Sequence, residues 1–452
     1  MDATRVVERV RVTAGDRQVA SHVGLHLLGE IADRTGLAFE YSAAVGFVGE
    51  GPPVHDRGRL LAQVAVMLAG GGVCISDMAA LRDQPDLFGA VASDPTIWRV
   101  FQGIDERALD GLRLARAEAR RAVWATTADA PATTVLDVDS TLIEVHSANK
   151  EGAASHYKGG YGFHPMLCFA DHSGEALAGM LRPGNATANS GADQLAVVDA
   201  AIASLPPERQ AGHAPGDDPG DVVHAMVVRA DSAGAVKAFV DGLVERNIEF
   251  SVYGRVSDGL CAAIAAVPES AWRKAIRADG EERHAGEVAE LDLELPGWPP
   301  GTRAICRREE PHQGAALRLW DVNGYRHQVT LTNSAGDPLE LELRQRLHAR
   351  VENWIKALRD TGLDRMPFTS FAANQAWFEL VLAGSDLLAW LRTVCLDGDL
   401  ARAEPKTLRY RFLHTAGRII RKARRIILRL PEHWRWAGDL VHAYQRLDLL
   451  DT

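Results

Sequence analysis

Three acidic side chains far apart along the chain could together perform metal-dependent chemistry: Asp139, Asp231 and Glu352. Asp139 lies in a short apolar strand predicted over 133–141, and Asp231 ends a second strand predicted over 222–231. Glu352 lies within a strongly amphipathic predicted helix. If the three carboxylates converge at one edge of a sheet, they can hold two divalent cations, and two cations can drive phosphodiester cleavage and joining.

Two of these acids also have alternative interpretations. Asp137 precedes Asp139 by two residues, so both point to the same strand face and either could be the ligand. A carboxylate among valines and leucines needs a partner or a metal, because an unpaired buried charge is costly. Asp231 could instead cap the turn that follows its strand.

The helix that carries Glu352 is predicted to begin near Leu341 and to turn an apolar stripe toward the sheet. The stripe comprises Leu343, Leu347, Val351, Trp354, Ile355 and Leu358. His348 and Lys356 lie four residues to either side of Glu352, and Arg359 lies seven beyond, so all share its face. Cations there suit a DNA phosphate backbone. The alternative is an exposed Glu352–Lys356 pair worth roughly 0.3–0.5 kcal/mol.

The order of predicted elements after residue 126 favours an α/β fold. Two strands flank the turn Asp171-His172-Ser173-Gly174, which suits a β-hairpin. A helix (192–205), the Asp231 strand, a second helix (233–246) and a strand (248–253) follow. The order β-β-β-α-β-α-β predicts a ribonuclease-H-like mixed sheet flanked by helices. The stretch 212–221, GHAPGDDPGD, is predicted to be a disordered link.

The chain divides into five predicted segments. They are a helical N-terminal DNA-binding domain (1–125), a first part of the catalytic core (126–260), a β-rich insertion (261–335), the rest of the core with the glutamate helix (336–400) and a basic C-terminal region (401–452). Within the first segment, the helix near Trp98 could read DNA or simply pack. The arginines of the predicted helix 106–124 are expected on a solvated face; they are Arg107, Arg113, Arg116, Arg120 and Arg121.

A local excess of positive charge offsets a net charge of −10. The segment 406–429 holds nine Lys or Arg residues and no Asp or Glu, and a concentrated patch governs phosphate contacts. The candidate DNA contacts there are Arg418, Arg421, Lys422, Arg424 and Arg425. Isoleucines at 419, 420, 426 and 427 predict that one face is buried. A membrane-surface helix is disfavoured because Pro431 and Trp434 indicate folded packing.

Several functional classes find no support in the sequence. No run approaches the roughly 18 apolar residues of a membrane helix, and the N-terminus lacks a signal-peptide core. The five cysteines are scattered without a CxxC pair, which disfavours a zinc site and fits a reducing cytoplasm. Neither a GxxxxGK loop nor a grouping for nucleophilic catalysis is present, so no nucleotide cofactor is expected.

The segment VLDVDSTL also matches the DxDxT motif of haloacid-dehalogenase-like phosphatases. In that interpretation Asp137 would be the nucleophile and Asp139 the general acid, with one Mg²⁺. Against it, a predicted β-hairpin follows where that fold expects a helix or a cap. No later Lys and acidic pair stands at the spacing that such phosphatases show.

Taken together, the residues resemble the DDE transposases of bacterial insertion sequences, in particular those with a β-rich insertion before the glutamate. The matching stretches are LDVDST, YKGGYGFHP, LRPGNATANSGA, VVRADSAG, ARVENWIKALRDTGL and FAANQAWFELVLAGSDLLAWLR, which span most of the chain. Related transposases often carry Tyr, Arg and Lys around the glutamate. Here Gln345, His348 and Arg359 stand at those positions, so the resemblance carries the metal ligands over better than the DNA contacts.

The resemblance implies a catalytic triad of Asp139, Asp231 and Glu352 that holds two Mg²⁺ or Mn²⁺ ions per active site. It implies binding to inverted terminal repeats, hydrolysis at the 3′ ends and attack of the freed 3′-hydroxyl on target DNA. Asp137, Arg182 and Asn185 would support the site from behind or contact DNA, although a turn at RPGN explains the last two equally well. A homodimer assembled on DNA is expected, in the cytoplasm on the nucleoid. A catalytically inactive relic remains an alternative.

Overall fold

A computed structural model describes residues 18–46, 55–127, 131–147, 149–255, 257–311, 314, 321–422 and 425–450. After the short strand β1 (Val19–Ala20), the first segment is helical, as predicted. Its helices are α1 (Leu25–Arg34), α2 (Leu37–Val45), α3 (Arg57–Ala69), α4 (Ala79–Arg82), α5 (Pro85–Phe88), α6 (Asp94–Gln102) and α7 (Glu106–Ala125). The side chain of Asp105 caps α7 by accepting a hydrogen bond from the Ala108 amide at 2.8 Å.

The middle of the chain supplies strands and two larger helices. The strands are β2 (Thr134–Ser140), β3 (Ile143–Glu144), β4 (Ala154–Ser155), β5 (Tyr161–Phe163), β6 (Met166–Ala170), β7 (Ala176–Met180), β8 (Met226–Ala230) and β9 (Glu249–Tyr253). The helices are α8 (Gly191–Ala203), α9 (Pro207–Gln210) and α10 (Lys237–Val244). The hairpin predicted at Asp171–Gly174 is confirmed, since β6 and β7 pair antiparallel on either side of it.

The predicted β-rich segment forms the helix α11 (Asp258–Ala266) and four strands. These are β10 (Arg273–Ile276), β11 (Glu282–Leu291), β12 (Arg303–Glu309) and β13 (Arg326–Thr332). Among the described residues, nine strands build the main sheet in the order β10-β11-β12-β13-β9-β8-β2-β6-β7. β2, β8 and β9 are parallel to one another and the other pairings are antiparallel. The inserted strands therefore extend this mixed sheet beyond β9.

The last part of the chain is helical, apart from one hairpin. It comprises α12 (Pro338–Arg346), α13 (Arg350–Leu358), α14 (Phe371–Trp390), α15 (Gly398–Ala401), α16 (Pro405–Leu408), β14 (Gly417–Lys422), β15 (Arg425–Arg429) and α17 (Ala437–Arg446). The glutamate helix thus starts earlier than predicted, at Pro338, because Asp337 caps it through the Leu339 amide. A 3₁₀ turn at Leu347–Ala349 divides it into α12 and α13.

One hydrophobic core joins the N-terminal helices to the sheet. α14 is its centre: it packs against α3, α7 and β7, and its Trp377 and Trp390 are fully buried. The first described strand, β1, pairs with β14 of the C-terminal region. No helix in the described ranges is both long enough and apolar enough to cross a membrane.

Two predictions about polar segments are wrong. The stretch 212–221 is ordered, because His213 is buried and its two ring nitrogens bond the carbonyls of Arg246 and His224 at 3.0 and 2.9 Å. On α7, Arg116 and Arg120 are buried instead of solvated. They form a buried charge network with Glu175, Glu379 and Asp386.

The helix near Trp98 is a packing helix on its inner face. Ile97 and Phe101 of α6 are fully buried, and Phe101 lies 4.9 Å from the ring of Phe368. Trp98 is partly exposed and contacts the same ring at 4.6 Å. Ser93 occupies the N-cap position of α6.

Candidate active site

The structure places Asp139 and Asp231 at the same edge of the main sheet. β2 and β8 are adjacent parallel strands, and Val138 pairs with Ala230 in their register. Asp139 is the next residue, near the end of β2, and Asp231 directly follows β8, so the two carboxylates lie at the carboxyl ends of neighbouring strands. Loops at that edge of a parallel sheet are common sites of chemistry.

Both carboxylates also make local hydrogen bonds. Asp139 accepts one from the Ser140 amide and Asp231 accepts one from the Ala233 amide, each at 2.7 Å. The second bond caps the 3₁₀ turn Ser232–Gly234, so the capping role considered for Asp231 is present. It uses one oxygen, and the Asp231 side chain remains exposed.

Two buried side chains attach the glutamate helix to these strands. Gln345 of α12 donates from Nε2 to the Ala230 carbonyl at 2.8 Å, one residue before Asp231. His348 donates from Nδ1 to Asp137 Oδ1 at 2.7 Å. Glu352 follows one turn later, on the exposed side of α13. In the sequence, Gln345 was notable only because related proteins carry a different residue at that position. In the structure, its side chain bonds the helix to β8.

Apolar packing holds α13 from its other side. Val351 and Ile355 are buried, as the predicted stripe requires, whereas Trp354 is only partly buried. The Trp354 ring lies 5.6 Å from that of Phe169 in β6. It also covers Gly174 of the hairpin turn, where φ is +69° and a Cβ atom would come within 2.7 Å of the indole nitrogen. The helix is therefore fixed against the β6–β7 hairpin.

Asp137 is the centre of a buried ion network. Its two carboxylate oxygens accept hydrogen bonds from Arg229 Nε and Nη2 at 2.8 and 2.6 Å, and neither side chain has appreciable exposure. Arg229 also pairs with Asp171 at 2.7 Å and donates to the Arg344 carbonyl at 2.6 Å. Sequence reasoning missed Arg229, although an arginine inside the apolar strand Met226–Ala230 was a visible signal.

This network distinguishes the surroundings of Asp137 from those of Asp139. Asp137 is fully buried, and Arg229 and His348 bond its carboxylate. A nucleophile must reach its substrate, and Asp137 cannot. The phosphatase alternative therefore loses its nucleophile.

The pKa of Asp139 reflects its burial and its charged neighbours. Burial raises the pKa of Asp139 to about 6. The Ser140 amide and the His348 ring act in the opposite direction, whereas the negative charges of Asp231 and Glu352 raise the pKa further. Within the described ranges, no three His, Cys, Asp or Glu side chains are gathered closely enough to ligate one ion.

The predicted DNA contacts on the glutamate helix lie in different surroundings. His348 is buried and bonded to Asp137. Lys356 is exposed and pairs with Glu404 at 2.9 Å, so the Glu352–Lys356 pair considered from sequence does not form. Arg359 donates from Nη2 to Thr141 Oγ1 and to the Leu142 carbonyl at 2.7 and 2.8 Å, directly beyond the Asp139 strand.

The loop after β7 supports the Asp139 strand through His164. Arg182 is buried and donates from Nε to the His164 carbonyl at 3.0 Å and from Nη1 to Asp193 at 2.7 Å. His164 Nε2 in turn bonds Ser140 Oγ at 3.0 Å, next to Asp139. Asn185 is exposed in the adjoining turn. Arg182 thus connects the loop after β7 to His164, which bonds Ser140.

The basic C-terminal segment folds into the hairpin β14–β15. Arg418, Arg421, Lys422 and Arg425 are exposed on it, and Arg421 pairs with Asp86. Arg424 lies outside the described residues. Ile419 is buried, but Ile426 and Ile427 are 52% and 41% exposed. The prediction that the isoleucines share a buried face is wrong for β15, because the hairpin has no further layer over that strand in the described part of the chain.

Comparison with known proteins agrees with the sequence resemblance. A search of curated proteins found no match. Among solved structures, the chain is similar to a piggyBac transposase in a synaptic complex with hairpin DNA, with 10% identity, a TM-score of 0.42, and coverage of 87% of this chain and 80% of that one. A likeness this distant carries no argument. A family model described as transposase DDE domain group 1 matches residues 4–452, and the chain therefore belongs to that family.

Proposed function

We propose that the protein is a DNA transposase that binds the inverted terminal repeats of an insertion sequence and catalyses 3′-end hydrolysis and strand transfer. One observation carries the proposal beyond family membership. Asp139 near the end of β2 and Asp231 just after β8 lie at the carboxyl ends of adjacent parallel strands, and the helix with Glu352 is bonded to those same strands through Gln345 and His348.

The topology of the sheet supports a ribonuclease-H-like core. The strands β7-β6-β2-β8-β9 form a continuous part of the sheet, in which the first three to appear along the chain are antiparallel neighbours and the last two are parallel to β2. This arrangement is the β-β-β-α-β-α-β order predicted from the sequence. The inserted strands β10–β13 add to its β9 edge.

The donor set suits hard divalent cations. Asp139, Asp231 and Glu352 offer carboxylate oxygens, which Mg²⁺ and Mn²⁺ prefer. Two such ions would activate the attacking water or 3′-hydroxyl and stabilise the leaving oxygen. Like charges brought together repel, and bound cations would offset that repulsion. The exposed Glu352 side chain is free to change rotamer toward the strand acids.

The surrounding residues would position the reacting groups. The Asp137–Arg229 pair and His348 hold the glutamate helix on β2, and Gln345 holds it on β8. The Arg359 side chain bonds Thr141, just after β2, so its guanidinium would lie beside a phosphate bound at Asp139. We assign His348 primarily to positioning, because its ring is buried.

DNA contacts further from the reacting phosphate fall to the exposed cations. Lys356 on α13 and the β14–β15 hairpin with Arg418, Arg421, Lys422 and Arg425 carry positive charge on exposed surface. Such contacts give sequence-independent affinity that falls with salt. Pairing of two element ends on target DNA would bring two copies of the chain together as a homodimer, in the cytoplasm on the nucleoid.

The test is cleavage of DNA that carries the cognate element ends, in Mg²⁺ or Mn²⁺. Wild type should nick at the 3′ ends, and Asp139→Asn, Asp231→Asn and Glu352→Gln should each lose at least about 100-fold of the rate, comparable to loss of a main transition-state contact. Glu340→Gln is the matched control, because Glu340 is an exposed acid at the start of the same helical segment.

Two results would overturn the proposal. One is undiminished cleavage by Glu352→Gln. The other is a folded wild type that binds its ends and does not cut them, which would instead identify an inactive relic. Circular dichroism of each variant separates loss of chemistry from loss of fold.

A further inference from the structure

A cavity of about 590 Å³ lies in the C-terminal region, between residues 406–416 and 431–434. Its wall includes Lys406, Arg409, Tyr410, His414, Thr415 and Trp434. The volume falls within the range of small-molecule sites. Neither the triad nor the basic hairpin forms part of this wall.

The cavity adjoins the end of the helix that carries Glu352. Lys406 pairs with Asp360 at 3.0 Å, and Arg409 Nη2 donates to Thr361 Oγ1 at 3.4 Å. Asp360 stands eight residues after Glu352, which corresponds to roughly 12 Å of helix at 1.5 Å per residue. That distance is about the length of four stacked nucleotides of one DNA strand.

Two aromatic rings, the exposed Tyr410 and the half-buried Trp434, line one side of the cavity. Tyr410 is 65% exposed, and its ring lies 5.9 Å from Trp434 and 6.1 Å from Trp436 in edge-to-face geometry. The Trp434 indole donates to the Arg411 carbonyl at 3.0 Å, which fixes its orientation. A rigid aromatic surface of this kind is what a nucleobase stacks on.

Polar side chains line another part of the cavity. Lys406 and His414 bring cationic or polar groups to the same wall. The chemistry therefore combines a stacking face, polar groups and positive charge.

We propose that this cavity binds one unpaired nucleobase of a DNA strand. The base stacks on the exposed Tyr410 ring with the Trp434 ring at its edge, and Lys406 lies close to the adjoining phosphate. The inference rests on DNA being the substrate, as proposed above. It adds a subsite a few nucleotides from the reacting phosphate.

Binding of single-stranded DNA without metal tests the subsite apart from catalysis. The probes are a fluorescent thymidine decamer and an abasic decamer of the same length, measured by anisotropy in EDTA. Both carry the same phosphates, and only the first carries bases. Wild type should prefer the thymidine decamer. Tyr410→Ala should weaken that binding by about 5- to 150-fold and leave the abasic decamer unaffected.

Two further variants sharpen the result. Tyr410→Phe keeps the ring and should bind as wild type does. Phe39→Ala removes a ring that is 74% exposed on α2 and should change nothing.

Equal wild-type affinity for the two decamers, or an unchanged Tyr410→Ala, would overturn the subsite. Neither result would affect the cleavage test of Glu352→Gln, so the two proposals fail separately. Loss of binding to both decamers in Tyr410→Ala would also contradict it, because stacking cannot contribute to an abasic strand.

Discussion

The buried pair Asp137–Arg229 should be a large contributor to stability, and Asp137→Asn tests it. Two charged hydrogen bonds of 2.8 and 2.6 Å join the side chains, whose exposed fractions are 0% and 1%. Removing one partner of a buried pair costs about 3–5 kcal/mol, because the other charge stays buried. Asp171 remains beside Arg229, which places the expected loss near the lower limit, about 3 kcal/mol.

Urea unfolding followed by circular dichroism measures that loss. The matched control is Asp33→Asn, since Asp33 faces Arg59 in a similar two-bond geometry at 3.2 and 3.1 Å but both side chains are exposed. The control should cost less than about 1 kcal/mol. An Asp137→Asn variant within 0.5 kcal/mol of wild type, on the order of the error of extrapolation, would refute the reasoning. The double variant Asp137→Leu/Arg229→Met should recover most of the loss.

Three other predictions follow from named contacts. The pKa of Asp139 is about 6 in the folded protein and ordinarily 3.8, so the stability of the wild type falls as pH rises from about 4 to 6. Without metal, Asp139→Asn should therefore be more stable than wild type above pH 6, by up to roughly 3 kcal/mol. Unfolding at pH 3 should show no difference between the two. Gln345→Leu removes the hydrogen bond that joins α12 to the Ala230 carbonyl beside the site, so cleavage should fall about tenfold or more while circular dichroism stays native. Arg120→Met removes the ion-pair partner of the buried Glu175 carboxylate and one of the two arginine partners of Asp386, and should cost about 3–5 kcal/mol in urea unfolding; a loss below 1 kcal/mol contradicts that account.

The strands and turns were predictable because their signals are local. The apolar runs around Asp139 and Asp231 became β2 and β8, and the polar turn 171–174 became the β6–β7 hairpin. Parallel pairing then brought the ends of two strands together. The mixed α/β fold follows from such patterns.

Partners distant in sequence explain what local patterns missed. The local sequence predicts a solvated helix face for Arg116 and Arg120. The fold instead pairs them with Asp386 of α14 and with Glu175, the residue before β7. The ordered stretch 212–221 depends on His213 meeting carbonyls from two other segments. Arg229 gained its role from Asp137, which lies 92 residues earlier.

The candidate site was likewise only partly predictable from the sequence. Residue type and strand position pointed to Asp139, Asp231 and Glu352, but the choice between Asp137 and Asp139 required knowledge of Arg229 and His348. The glutamate helix was predictable from its apolar stripe. Its attachment through Gln345 was not, because a glutamine side chain carries no periodic signal.

Counting bound Mn²⁺ on the protein–DNA complex tests the central claim most directly. Electron paramagnetic resonance of free Mn²⁺ gives the number of ions held at saturation. We predict two ions per chain in wild type and in Glu340→Gln, and fewer in Asp139→Asn, Asp231→Asn and Glu352→Gln. Two ions retained by all three triad variants would contradict the account.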